Sequence, residues 1–327
     1  MRKRIIYGPI LSRRLGRSLG IDVIKNSDTK KNCNFDCVYC QLGHADNNIT
    51  GPEDVKGAVR TEEVIEDISS YHKNIDHLDY ITFSGTCEPT LNLRLGEMIK
   101  GIKEISEHPV CVITNSSLVE RDDVRSNIAE ADFVVATLVS GYEDTFRAIN
   151  RPVDGIRLEN IINGLKAIMD MEKRPKLGIE IMLVDSTTNY PVNCTDREID
   201  RLLEVLKTIG PDEIEILTVS RPPAEEYIIP VSDTRLKEIA FRFDEEFGRG
   251  RVKLVLKGLK RNRSSMKHEN IEEEVYDLIL RRPCTFKQIC ASLGVDSVEL
   301  EPIIEKLMLS ESVIEIGNVE ERYYKTS

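Results

Sequence analysis

Short apolar runs alternate along the chain with longer stretches in which apolar residues recur every three or four positions. The runs Leu19–Ile24, Tyr80–Phe83, Val110–Thr114, Phe133–Thr137, Leu177–Val184 and Glu213–Val219 have β character. Between them, Glu62–His72, Leu93–Glu107, Glu120–Glu130, Leu158–Met171 and Asp196–Thr208 read as amphipathic helices. Apolar strands separated by helices predict a parallel sheet with both faces covered. Six such units suit an α/β fold of the incomplete barrel type, a partial (β/α)6 barrel. Functional residues on such barrels gather at the C-terminal ends of the strands.

After Val255 the pattern changes. Arg249, Arg251, Lys253, Lys257, Lys260, Arg261, Arg263 and Lys267 follow one another with no acidic residue between them. This predicts a barrel domain over 1–255, a basic linker over 256–268 and a small domain over 269–327. The last of these reads as helix (Ile271–Arg281), helix (Thr285–Leu293), helix (Ser297–Leu309) and hairpin (Val313–Ile316, Arg322–Lys325). That order is similar to a winged helix-turn-helix.

The length of 327 residues and 40% hydrophobic content permit a large core plus a small satellite domain. No run of eighteen apolar residues occurs, so no transmembrane helix and no membrane partner are expected. The N-terminus is basic but lacks the apolar core of a signal peptide, which predicts a cytoplasmic protein. Its eight cysteines then read as metal ligands or reduced thiols. A net charge of −11 argues against non-specific coating of nucleic acid. The segment from Met266 onward carries seven basic against thirteen acidic residues, a formal net of −6. Its third helix bears Glu299, Glu301 and Glu305 against Lys306, a surface that repels phosphates, so DNA binding is not expected of it.

The strongest chemical signal is Cys33-Asn34-Phe35-Asp36-Cys37-Val38-Tyr39-Cys40, three cysteines within eight residues. Clustered thiolates suit an iron–sulfur cluster or zinc. In the zinc reading His44 is the fourth ligand. The loop follows the first strand and so falls on the functional face. Cys111, Cys194, Cys284 and Cys290 show no ligand spacing. Cys87 reads as a small residue in a turn, with a redox role as its alternative.

The Cys-x3-Cys-x2-Cys spacing resembles that of the radical S-adenosylmethionine (SAM) superfamily. The resemblance implies a [4Fe-4S] cluster on Cys33, Cys37 and Cys40, with SAM chelating the open iron. It further implies reductive SAM cleavage, hydrogen abstraction from a substrate, and a low-potential electron donor of ferredoxin or flavodoxin type. Ser84-Gly85-Thr86-Cys87-Glu88-Pro89 resembles the superfamily's Gly-Gly-Glu-Pro-type motif, with Thr86-Cys87 departing from it. Gly85 permits close backbone approach and Glu88 is the acceptor for the SAM ammonium. Asn115, in the run Thr114–Ser117 that ends the third strand, reads either as lining the SAM or substrate pocket or as capping the next helix, and Thr137 ends the fourth strand, where the superfamily commonly places a polar ribose contact. Glu180 interrupts an apolar strand, where a carboxylate needs a partner. The runs Gly8–Gly20, Phe146–Pro152 and Arg221–Glu225 are similar to those of small Fe–S oxidoreductases distantly related to the tRNA wybutosine-synthesis radical enzyme. Val139 stands where that group commonly has an acidic residue.

Arg13, Arg14, Arg17, Arg147, Arg151 and Arg221 could hold the SAM carboxylate or an anionic substrate, because guanidinium forks bind carboxylate and phosphate bidentately. The reading is therefore a radical SAM enzyme acting on RNA, a peptide or protein, or a metabolite. In the RNA version Lys260, Arg261 and Arg263 supply phosphate contacts. The contrasting reading is a zinc-binding winged-helix transcriptional regulator; the acidic third helix counts against it.

Overall fold

A computed structural model of the chain describes residues 4–25, 31–45, 49–71, 78–256, 270–317 and 321–327. The chain opens with a hairpin, β1 (Ile6–Ser12) and β2 (Gly16–Ile21). Then follow α1 (Thr61–Ser70), β3 (Tyr80–Phe83), α2 (Leu95–Ile105), β4 (Val110–Thr114), α3 (Asp122–Ile128) and β5 (Phe133–Thr137). The second half continues with α4 (Glu143–Asn150), α5 (Leu158–Met169), β6 (Lys176–Leu183), β7 (Asp185–Ser186), α6 (Asp196–Ile209) and β8 (Glu213–Thr218). It ends with β9 (Ile228–Ile229), α7 (Asp233–Phe247) and β10 (Val252–Leu254).

Eight strands make the main sheet, in the order β1-β2-β3-β4-β5-β6-β8-β10. The β1–β2 pair is antiparallel and every other pair is parallel. This is the α/β partial barrel expected, extended by one strand at each edge. The expected first strand, Leu19–Ile24, shifts to Gly16–Ile21 because its partner β1 pairs back to Gly16. Of the basic stretch, Lys253 lies in β10, inside the span expected for the barrel, and pairs with Glu213 at 2.6 Å. Lys257, Lys260, Arg261, Arg263 and Lys267 lie outside the described residues, as does most of the expected linker.

Strand periodicity decides which side chains reach the functional face. On β6, Leu177, Ile179, Ile181 and Leu183 are fully buried in the apolar core, while the intervening Glu180 and Met182 line a cavity. The helices α4 and α7 lie outside the helical stretches expected from the pattern. The second was legible: Leu236, Ile239, Ala240 and Phe243 are buried at helical spacing behind a Ser232 cap.

The C-terminal segment comprises α8 (Ile271–Arg281), α9 (Phe286–Leu293), α10 (Ser297–Leu309) and the hairpin β11 (Val313–Gly317) with β12 (Arg322–Thr326). It shares a core with the barrel. Tyr7 and Ile10 of β1 pack with Val275, Leu278, Ile279, Cys284, Ile289 and Leu293. Arg281 is 2% exposed and reaches across this junction. Its Nη1 donates to Asp277 Oδ1 at 2.7 Å, its Nη2 to the Arg4 carbonyl, and its Nε lies 3.5 Å from Asp22 Oδ2. The guanidinium also stacks 4.7 Å from the Tyr7 ring centre. No helix among the described residues is long and apolar enough to cross a membrane.

Candidate active site

The strand ends and the loops after them enclose a cavity of about 700 Å3. Cys33, Cys37, Cys40, Gly85, Glu88, Asn115, Thr137, Glu180, Arg13, Arg14 and Arg221 all line it. Three other arginines do not. Arg17 leaves the cavity wall and donates its backbone N–H to Asp79 at 2.7 Å. Arg147 pairs with Glu143 one helical turn away at 2.7 Å. Arg151 engages Glu225 and the Tyr227 hydroxyl, the latter at 2.9 Å.

The cysteine loop is held by backbone pairing on two sides. Asn32 N–H donates to the Thr86 carbonyl at 3.0 Å, and Glu88 N–H returns to Asn32 at 2.9 Å. On the other side, Asp36 N–H donates to Arg151 at 3.1 Å, Val38 N–H to Ile149 at 2.9 Å, and Val153 N–H to Asn34 at 3.0 Å. The Ile149–Pro152 stretch therefore acts as a clamp. Arg151 adopts a left-handed conformation (φ 44°) that ends α4 and turns the chain onto the loop.

Two amide side chains aim at the sulfurs. Asn150 Nδ2 lies 3.2 Å from Cys37 Sγ, and Asn115 Nδ2 lies 3.4 Å from Cys33 Sγ. Asn150 also donates to the Tyr39 hydroxyl at 3.0 Å. Burial pushes the Cys33 thiol up to about 12, although Lys31 pulls it the other way. Burial alone would lower the Lys31 ammonium. The neighbouring Cys40, Cys33 and Cys37 sulfurs and Asp36 more than offset this and hold it above the usual lysine range. Lys31 is thus a cation set beside three potential thiolates. Nothing in its sequence context marks it.

Cys37 is buried and the other two thiols are half-buried. Among the described residues no three His, Cys, Asp or Glu side chains converge closely enough to hold one metal ion. A multi-iron cluster needs no such convergence, because its irons each take their own thiolate. His44 does not join the thiols. Its Nδ1 lies 3.1 Å from Asp36 Oδ2 and its side chain is 56% exposed. Three thiols on one loop, facing one cavity, with N–H donors meeting Cys33 and Cys37, are a donor set that fits a [4Fe-4S] cluster.

Glu88 is 3% exposed and densely hydrogen-bonded. Its Oε1 accepts from Thr90 N–H (3.1 Å), the Thr90 hydroxyl (2.7 Å) and the Thr114 hydroxyl (2.6 Å). Its Oε2 accepts from Asn115 N–H at 2.7 Å. Burial raises its pKa and these donors oppose the rise. Glu88 thus joins the ends of β3 and β4, whatever else it binds. Gly85 (φ +136°) lies so close to Asp22 that a Cβ there would sit 2.6 Å from Asp22 Cγ. Asp22 accepts from Thr86 N–H at 3.1 Å, the Thr86 hydroxyl at 2.9 Å and Cys87 Sγ at 3.2 Å. The Thr86-Cys87 departure from the glycine pattern thus supplies donors to a buried carboxylate.

Glu180 finds its partners in Arg14, which contacts it directly, and in the Thr137 hydroxyl at 3.2 Å. Arg14 also meets the fully buried Glu215 at 3.3 Å. Burial raises Glu215, and Arg14 opposes this. Val139 is buried and offers only its carbonyl, which accepts from Asn193 at 2.7 Å. The C-terminal segment, expected as a separate domain, supplies a wall: Arg281, Arg282, Thr285, Lys287, Gln288, Glu321 and Tyr323 line the same cavity.

Comparison with known proteins agrees with this geometry. The radical SAM superfamily profile matches residues 29–189, the span from the cysteine loop past β6. UPF0026 protein MJ1312 of Methanocaldococcus jannaschii is 33% identical over 318 residues, covering 95% of this chain and 92% of that protein. A protein named GTPase Obg from Brachyspira hyodysenteriae is 29% identical over 315 residues, and there the match spans only 44% of its length. The solved structure of Streptococcus suis SuiB bound to S-adenosylmethionine aligns over 73% of this chain and 50% of that one, with a TM-score of 0.52 and 14% identity. The chain belongs to the radical SAM superfamily, and within it to the UPF0026 group.

Proposed function

We propose that this enzyme holds a [4Fe-4S] cluster on Cys33, Cys37 and Cys40 and binds S-adenosylmethionine beside it, to abstract a hydrogen atom from a substrate in the same cavity. The observation that carries the reading is the convergence of the three thiols with Gly85, Glu88, Asn115, Thr137 and Glu180 on one cavity. When bound, the two groups supply reductive cleavage of S-adenosylmethionine to methionine and a 5′-deoxyadenosyl radical.

The chain's own residues prepare the site. Asn115 and Asn150 direct N–H groups at sulfur, which stabilises thiolate over thiol. Lys31 offsets the negative charge of the thiolates. Glu88 Oε2, with a single donor, retains a lone pair for an ammonium, while Oε1 is filled. Arg14 and Thr137 fix Glu180 on the cavity side of β6. The winged-helix-like segment closes the cavity and keeps water from a reactive intermediate. Its exposed Glu299, Glu301 and Glu305 do not suit a DNA-reading helix. The electron comes from a low-potential ferredoxin- or flavodoxin-type partner.

The test is anaerobic reconstitution of the full chain and of Cys33→Ala, Cys37→Ala and Cys40→Ala. We expect the native protein to be brown, to carry iron and sulfide, and to yield 5′-deoxyadenosine from S-adenosylmethionine with reductant. Each variant should lose the cluster and the cleavage. Full iron content in any one of them would refute the assignment.

A further inference from the structure

Arg13, in the turn between β1 and β2, Arg221, after β8, and Arg282, after α8, line the cavity together. Their hydrogen bonds go to neutral groups. Arg13 donates to the Ser220 hydroxyl at 2.7 Å and to the Leu256 carbonyl at 3.4 Å. Arg221 donates to the Pro283 carbonyl at 3.0 Å and to the Gln41 side-chain carbonyl at 3.2 Å. Arg282 Nε is buried with no hydrogen-bond partner. Among the described residues none of the three forms an ion pair with a carboxylate.

Three guanidiniums brought together with no carboxylate ion-paired to them are costly. Burial, then Arg282, then Arg13 pull Arg221 down to about 9, with Cys284 opposing. Burial, Arg14 and Arg282 lower Arg13. Arginine keeps its charge in practice, so these effects express a repulsion that an incoming anion relieves. Among the described residues, Glu321 is a carboxylate lining the same wall beside Tyr323. Among the described residues of this wall the three arginines, with Lys287 beside them, outnumber Glu321 and leave a positive surplus. A phosphate monoester, close to a dianion above neutral pH, matches that surplus better than a carboxylate or a phosphodiester.

We propose that Arg13, Arg221 and Arg282 form a binding site for a phosphate monoester group carried by the substrate. The proposal rests on the cavity being the active site. Gln41, the residue after Cys40, links Arg221 to the cysteine loop, so a phosphate held here anchors its substrate in the cavity the thiols face. The site combines barrel and C-terminal residues, which gives that segment a part in substrate selection.

The test is calorimetric titration of the reconstituted full chain at pH 8 with inorganic phosphate, phenyl phosphate, dimethyl phosphate and acetate. Inorganic phosphate and phenyl phosphate should bind, with dimethyl phosphate and acetate about tenfold weaker or worse. Arg221→Gln and Arg282→Gln should each weaken phenyl phosphate binding about tenfold or more. Their ligand-free thermal midpoints should hold or rise, since a like charge is removed. Arg282→Lys should fall between native and Gln, which covers a misfolded Gln variant. Saturating S-adenosylmethionine should leave phosphate affinity unchanged.

Equal affinity in the Gln variants, no phosphate binding at millimolar concentration, equal binding of dimethyl phosphate, or displacement by S-adenosylmethionine would each overturn the proposal. The last would make the arginines part of the cofactor site. Cys33→Ala serves as the separating control: it should bind phosphate normally while losing iron. Failure of the cluster assignment thus shows in iron content, and failure of the anion site in the titration.

Discussion

Arg281→Met is the sharpest perturbation of the junction between the C-terminal segment and the barrel. The substitution keeps much of the side chain's volume and removes its charge. It takes the Arg281 cation away from two buried carboxylates, Asp22, 2% exposed, and Asp277, 6% exposed. Breaking a buried pair by removing one partner costs about 3–5 kcal/mol. A domain of 150–250 residues loses roughly 2–4 °C of thermal midpoint per kcal/mol, and a longer chain sits at the low end, so a fall of about 6–10 °C is expected.

The loss has a pH signature. Burial already raises Asp277 in the native chain, with Arg281 opposing. Without that opposition, the folded-state pKa of Asp277 rises further above its unfolded value. The folded variant then binds protons more tightly than the unfolded chain, so its stability increases as pH falls. The deficit against native should therefore shrink between pH 8 and pH 5. Urea denaturation of both proteins across that range measures it. Asp22→Asn combined with Arg281→Met should recover part of the loss, because the stranded charge is gone. Because Asp22 holds the Thr86 loop, Arg281→Met should also weaken S-adenosylmethionine binding. A deficit below about 1 kcal/mol, or one independent of pH, would refute the idea that these pairs hold the junction.

Three further expectations concern the site itself. Asn150→Ala removes an N–H donor to Cys37, so the protein should keep its iron while its cluster potential falls by about 20–65 mV, the equivalent of one ordinary hydrogen bond; potentiometric titration followed by electron paramagnetic resonance reads it. Glu88→Ala should weaken S-adenosylmethionine binding by calorimetry and lower stability by about 2 kcal/mol or more, since the donors of Thr90, Thr114 and Asn115 lose their acceptor while the cluster's ligands stay intact. His44→Ala should leave iron content near native, and Arg147→Ala should change stability by no more than about 0.5 kcal/mol, since its partner is a half-exposed neighbour on the same helix; loss of metal from His44→Ala would return the site to zinc.

Local pattern made the barrel legible. Apolar runs and helical stripes recur over a few residues, and the six expected strands correspond to β2, β3, β4, β5, β6 and β8. The thiol spacing is equally local, as is the oddity of Glu180 between Ile179 and Ile181. A motif, however, does not say what a residue touches. Phe146–Pro152 was recognisable, yet only the fold shows Asn150 reaching Cys37 and Arg151 turning away to Glu225. Six arginines were candidates for one anion site, and the fold brings three of them, Arg13, Arg14 and Arg221, to the cavity. It commits Arg14 to Glu180 and Glu215 and adds Arg282 from a segment that read as a separate module. Contacts such as Arg281 with Arg4, 277 positions apart, leave no periodic trace in the chain. Secondary structure follows from neighbours a few residues away, whereas the partners of a buried charge are set by which surfaces the apolar core forces together.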